Sequence, residues 1–261
     1  MCLRYRKNII VQKQNKILSK AIWPGQKRTF DIDFFEMLQP QRRVCEDSRY
    51  KSGVYYSEKC NRYIQYESGL ELNFILFLEQ SPKVRFYWEQ PCMVPYWRGK
   101  IKDTYTPDFA VYLVTGEIIM VEIKDLPGMT DHRVQTKMQG LIKFCADKGF
   151  GILLTDGKNT IDKLLKVKCN KTLEKSVLTA LKDNNCILKT ECREMTKTCE
   201  ATQNELLKVI LKNDLRHRAS KSVIRPVNRN TVFRHVFINK RPYEELNANP
   251  YSTLFKSGTE K

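Results

Sequence analysis

Apolar positions between residues 68 and 155 alternate between helix-like and strand-like spacing. From residue 68 to 80, Leu70, Phe74, Phe77 and Leu78 recur at helical intervals with Glu71 on an adjoining stripe, and Ser81-Pro82 ends the run. One amphipathic helix is predicted there. Residues 84–88 and 92–97 are short aromatic and β-branched stretches broken by Pro91 and Pro95, followed by a turn signal at Arg98-Gly99-Lys100. They predict a strand and an extended edge. Residues 104–114 and 117–124 read as two strands joined in a tight hairpin at Thr115-Gly116. After Pro127-Gly128, the positions Val134, Met138, Leu141 and Cys145 predict a helix over residues 132–147 that covers one sheet face. Residues 150–155 then read as a buried strand. Helix, three strands, helix and strand in that order predict an α/β fold with a mixed sheet.

The flanks are less regular. Residues 1–50 show little periodicity and predict a basic arm or accessory region. Beyond residue 158, helices are predicted at 161–167, 173–183 and 202–213, the last opened by the capping-box pair Thr202 and Glu205. The predicted organisation is therefore an accessory region (1–50), an α/β domain (51–168) and a smaller, mainly helical basic domain (169–261).

Composition narrows the partner class. The chain has 261 residues, 41% hydrophobic and 29% charged, a globular balance that excludes collagen, coiled coil and wholesale disorder. With 46 Lys+Arg against 29 Asp+Glu, its net charge of +17 argues for a polyanionic partner. The charge is unevenly spread: residues 1–66 carry +8, residues 67–157 carry −2 and residues 158–261 carry +11. A slightly acidic centre between basic flanks suits a metal-dependent enzyme on nucleic acid, where carboxylates gather cations and Lys and Arg hold phosphates. Apolar runs are too short for a membrane helix and the start lacks a signal-peptide apolar region, so a soluble, cytoplasmic chain is expected. Nine scattered cysteines without a C-x-x-C predict reduced, core-filling thiols; Cys186, Cys192 and Cys199 are spaced too widely for the usual zinc knuckle.

The chemistry concentrates in Thr106-Pro107-Asp108, thirteen intervening residues, and Glu122-Ile123-Lys124. Residues i and i+2 of a strand share a face, so Glu122 and Lys124 point the same way while the hairpin brings Asp108 alongside. Carboxylate oxygens are the hard ligands that Mg²⁺ takes. Lys124 could orient or help deprotonate a water, or stabilise a pentavalent transition state. Glu71, or Glu67 one turn earlier, adds a carboxylate from the preceding helix. As a bare pattern, Asp108 and Lys124 could equally form an ordinary cross-strand pair.

The ordered motifs 64–71 (IQYESGLE), Phe77-Leu78-Glu79, Glu89-Gln90-Pro91, 105–109 (YTPDF) and Val121-Glu122-Ile123-Lys124 closely resemble the amino-terminal nuclease domain of TnsA-type transposon endonucleases, over residues 50–157. The resemblance implies a restriction-endonuclease-like PD-(D/E)xK core. It matches Glu71 to the family's helical catalytic glutamate, Asp108 to its metal-binding aspartate and Lys124 to its active-site lysine. Glu122 stands where some relatives carry Gln. With Glu71, Asp108 and Glu122 as ligands, the implied cofactor is Mg²⁺, with Mn²⁺ as a substitute. The implied partners are double-stranded DNA at transposon ends, a DDE-type TnsB-like transposase and a TnsC-like ATP-dependent regulator; the implied location is the bacterial cytoplasm, at the nucleoid. Two other readings are a stand-alone nuclease of DNA repair or restriction and a nuclease-dead DNA-bridging subunit.

Remaining candidates carry less chemistry. His132 reads as a surface histidine at a helix start. His217 and His235 sit among Arg216, Arg218 and Arg234 and suggest phosphate contact. Trp88 and Trp97 read as core or sheet-edge packing. The tail mixes Arg225, Arg229, Lys240 and Arg241 with Phe233, Phe237 and Tyr243, which fits either DNA tracking or partner docking.

Overall fold

The computed structural model describes residues 16–33, 40, 52–221 and 223–226. Strands β1 (Gly53–Ser57) and β2 (Arg62–Tyr66) pair as an antiparallel hairpin ahead of helix α1 (Gly69–Gln80). Next come β3 (Val84–Glu89), β4 (Val94–Arg98), β5 (Ile101–Tyr105), β6 (Phe109–Leu113) and β7 (Ile118–Ile123). The short helix α2 (Leu126–Met129) leads into α3 (His132–Lys148) and β8 (Gly151–Thr155). Helices α4 (Asp162–Leu165), α5 (Lys171–Asn184), α6 (Lys189–Thr198) and α7 (Gln203–Lys212) precede a small ribbon of β9 (Arg216–Arg218) and β10 (Val223–Arg225).

The fold is α/β around a mixed four-stranded sheet in the order β3-β6-β7-β8, antiparallel except for the parallel β7–β8 pair. Period-two alternation in β6 and β7 divides the core between the two faces. Ala110, Tyr112, Ile118 and Met120 pack with Val134, Met138, Leu141, Ile142 and Cys145 of α3. Phe109, Val111, Ile119, Val121 and Ile123 pack with Phe74, Ile75, Phe77 and Leu78 of α1. Both helices are thus recruited by apolar stripes, as their spacing predicts. Ser68 caps α1 by accepting from the Glu71 amide, and Asp131 caps α3 by accepting from the Arg133 amide.

Several expectations are corrected. The single strand expected over 104–114 breaks at Thr106-Pro107-Asp108: proline has no ladder donor and restrains its predecessor, so β5 pairs with β4 while β6 starts afresh in the central sheet. Gly116, with φ +88, forms the turn expected between β6 and β7. Glu67 lies before the cap of α1, outside the helix. A boundary at residue 50 does not describe the packing. Ile17 and Leu18 are buried with α1, Ile22 exchanges two backbone hydrogen bonds with Ile152, and the Tyr112 hydroxyl donates to the Phe30 carbonyl. Nor does the core break at residue 168, because Leu173, Val177, Leu207, Ile210 and Ile224 share one apolar cluster with the α3 face of the sheet. Helix α6 was not expected from the pattern, although Leu188, Cys192, Met195 and Cys199 follow helical spacing between lysines and acids.

Among the described cysteines, Cys60, Cys145 and Cys192 are buried and Cys92, Cys169, Cys186 and Cys199 half-buried, all as free thiols. His235 and the tail residues Arg229, Phe233, Arg234, Phe237, Lys240, Arg241 and Tyr243 lie outside the described residues, as do Cys2 and Cys45. Among the described residues no helix is long and apolar enough to cross a membrane.

Candidate functional site

The β6–β7 register, Phe109 opposite Val121 and Ala110 opposite Met120, continues outward to bring Asp108 opposite Glu122. Like charges directly across a ladder repel. The structure answers with Lys124, whose ammonium lies 2.9 Å from Glu122 Oε1 and 3.2 Å from Asp108 Oδ2 and also donates to the Ile123 carbonyl at 2.8 Å. All three ammonium protons thereby have acceptors. Burial alone would lower the Lys124 pKa, but the two carboxylates more than reverse that and raise it.

Asp108 is fixed at backbone and side chain. Its Oδ2 accepts from the Ile123 amide at 2.6 Å, and its carbonyl accepts from the Gln90 amide at 2.9 Å. Gln90 adopts φ +44, a left-handed conformation that non-glycine residues adopt at a cost, so local strain is spent on holding this junction. Glu122 is buried, only 3% exposed. Burial first and the Asp108 charge second push its pKa up to about 7. Its Oε2 has no hydrogen-bond partner, and neither has the buried Tyr105 hydroxyl, whose own ionisation is suppressed by burial and then by Glu122. Tyr105, Gln90 and Lys137 border the candidate site; Gln90 and Tyr105 stand in the motifs 89–91 and 105–109, whereas nothing in the pattern singles out Lys137. For Gln90, its place between a strand end and Pro91 was the available signal.

Glu71 stands at the third position of α1. Its carboxylate folds back onto its own cap, accepting from the Glu67 amide at 2.8 Å and the Ser68 hydroxyl at 2.9 Å. Its pKa is raised, chiefly by burial and then by the nearby Asp108. All four predicted site residues therefore gather in one electrostatic neighbourhood, but Glu71 does not share a ligand set with the other acids. Among the described residues no group of three or more His, Cys, Asp or Glu side chains is arranged to hold a metal.

The orphaned Glu122 oxygen is nevertheless a fit for a hard cation. A buried carboxylate without a full set of donors is stabilised by such a charge, and Asp108 and Glu122 offer oxygen ligands of the type Mg²⁺ takes. The Lys124 ammonium beside them can stabilise negative charge developing on a bound group.

Immediately downstream, the chain is clamped by the carboxy-terminal ribbon. The Thr130 hydroxyl donates to the Pro127 carbonyl, so at 2.7 Å it accepts from the His217 Nδ1–H. His132 Nδ1 donates to the His217 carbonyl at 2.9 Å, and Asp131 accepts from the Ala219 amide at 3.0 Å. Burial works against the Asp131 charge, but the Arg133 hydrogen bonds hold its carboxyl below the usual range. This corrects two expectations. His217 is buried and faces Thr130 rather than phosphate, and His132 is half-buried in the same clamp. Trp88 is half-buried, with the Arg62 guanidinium stacked 3.9 Å from its ring centroid.

Burial depresses the His217 pKa to about 4. The unfolded chain therefore binds more protons than the folded one between about pH 6.5 and 4, and the clamp's contribution, intact above 6.5, is lost as pH falls through that window. Urea unfolding at pH 7.5 and 5 is expected to show a loss of about 2 kcal/mol attributable to this group. His217→Asn should remove that part of the difference; an identical pH dependence in the variant would refute it.

No protein-family model matches the chain, and no curated protein matches it in sequence.

Proposed function

We propose that this chain is a metal-dependent DNA endonuclease with a restriction-endonuclease-like core, acting as the subunit that cuts the 5′ strands at transposon ends beside a DDE-type transposase and an ATP-dependent regulator. What carries the reading is the Asp108–Lys124–Glu122 bridge at the open end of the β6–β7 pair, with a buried carboxylate oxygen left without a donor. An ordinary cross-strand ion pair has no use for a second, repelling acid buried opposite the first. In support stand the order of the sequence motifs and the +17 charge, which suits a polyanionic substrate.

Asp108 and Glu122 are the residues that would hold Mg²⁺ or Mn²⁺, with Glu71 joining if its carboxylate leaves the cap of α1. The bound ion would supply Lewis-acid polarisation of the phosphate and a more acidic water. Lys124 bridges and orients both carboxylates, and its ammonium offsets charge building on the non-bridging phosphate oxygens. The Ile123 amide and the Gln90 amide hold Asp108 in place, so no reorganisation is needed as charge develops.

Incubating the purified chain with DNA tests the reading. Strand cutting is expected with Mg²⁺ or Mn²⁺, binding without cutting with Ca²⁺, and 5′-strand cuts at end sequences once a DDE-type transposase partner is added. Cutting that persists in excess chelator would overturn it.

A further inference from the structure

Strands β4 and β5 form a ribbon whose base is built into the fold and whose tip is not. At the base, Val94 and Tyr105 are buried opposite each other, and Tyr96 packs on α3. Gly140 permits that approach: a Cβ there would stand 2.6 Å from both the Pro95 carbonyl oxygen and the Tyr96 Cβ. Toward the tip burial ends, with Trp97 44% and Ile101 58% exposed. Arg98, Lys100 and Lys102 are exposed beside them, and Lys102 lies opposite Trp97 on the outward face. Asp103 faces Arg98 at 3.8 Å, which leaves the two lysines as the outermost charges of a segment, residues 97–102, that contains no acid.

The ribbon is also wired to the candidate site. β5 ends three residues before Asp108. Lys137 of α3 lies 5.3 Å from the Tyr105 ring centroid and acts electrostatically on both Asp103 and Glu122. Cationic side chains thus run from the tip past Lys137 to Lys124. At about 3.3 Å per residue, β5 carries its tip roughly 13 Å beyond Tyr105, about the axial length of four base pairs.

We infer that the β4–β5 ribbon is a duplex-DNA contact in which Lys100 and Lys102 hold backbone phosphates about four base pairs beyond Tyr105 while Trp97, on the same face as Lys102, lies against the groove. The assignment rests on reading the chain as a DNA enzyme. A two-stranded ribbon matches the width of a major groove, where an exposed aromatic ring beside a cation can make apolar contact with base edges and thymine methyls while the lysines reach phosphates.

The test uses the full chain, a mixed-sequence duplex and excess chelator, so that binding is read without cutting. Lys100→Ala/Lys102→Ala is expected to flatten the log K against log[salt] slope by roughly 1.8 and to weaken binding at least about 10-fold at moderate salt. Trp97→Ala should weaken binding roughly 5-fold with the slope unchanged, because apolar contact in the groove releases no counterions. Lys100 and Lys102 are exposed, so the lysine variant should melt as wild type does, and melting temperatures of both variants are measured beside the binding curves. Wild-type binding curves from both variants would overturn the assignment, as would DNA affinity retained while contact with a protein partner is lost. A parallel incubation with Mg²⁺ separates the two ideas. A wild-type chain that cuts, with ribbon variants that bind normally, removes the ribbon alone. Weakened binding by the variants of a chain that never cuts supports the ribbon and removes the nuclease.

Discussion

Asp108→Asn and Lys124→Met are each expected to lower DNA cutting by roughly 100-fold or more, the usual cost of removing a charge that acts in the transition state. The two substitutions differ in what they do to the fold. Asn retains an acceptor for the Ile123 amide, now bonded at 2.6 Å, so its melting temperature should stay near wild type. Asp108→Ala strips that acceptor from the end of the β7 ladder and should add a stability loss of about 1–3 kcal/mol, the cost of an unsatisfied buried amide. Loss of Lys124 leaves two carboxylates directly opposed, and Glu122, its pKa already up at about 7, should answer by taking a proton rather than by unfolding the sheet. Cutting assays with Mg²⁺ alongside thermal melts check all three. Near-normal cutting by Asp108→Asn would remove Asp108 from the assignment.

Glu122→Gln is expected to stabilise the protein while abolishing cutting. The unfolded glutamate ionises near pH 4.5 and the folded one near 7, so the folded state holds the extra proton between those values. Wild-type stability attributable to this group therefore falls as pH rises from about 4.5 to 7 and stays low above it, by about 3 kcal/mol in all. The neutral amide does not incur that burial cost. Metal-free unfolding curves at pH 5 and pH 8 should accordingly show the variant gaining on wild type at the higher pH. His217 contributes with the opposite sign over an overlapping range, so the quantity to compare is the difference between variant and wild type at each pH. A variant less stable than wild type at pH 8 would mean that its ion pair with Lys124 outweighs its burial.

If Glu122 proves to destabilise the fold, its retention beside Lys124 supports the proposed function. Gln90, at φ +44, likewise takes a left-handed backbone where its amide donates to the Asp108 carbonyl.

By itself, the order of residues determined the α/β class, the helices α1, α3, α5 and α7, the β6–β7 turn and the pairing of Asp108 with Glu122 and Lys124. Each depends on local periodicity or on strand parity, which a single segment carries within itself. Only the tertiary structure decided the rest. Residues 16–33 have no period of their own because they add isolated backbone bonds and single apolar anchors to an existing sheet edge. The ribbon of β4 and β5 departs from the central sheet because Pro107 cannot donate to a ladder, and its neighbour in space, α3, lies far along the chain. Glu71 reads in sequence as a free carboxylate on a helix face, yet its first use is the cap of that helix, since the nearest donors are the Glu67 amide and the Ser68 hydroxyl just ahead of it. His217 reads as one more cation in a basic tail, but the clamp on Thr130 and Asp131 buries it, and burial favours the neutral ring. Charge state and burial are properties of what surrounds a side chain, and for these residues the surroundings come from segments remote in sequence.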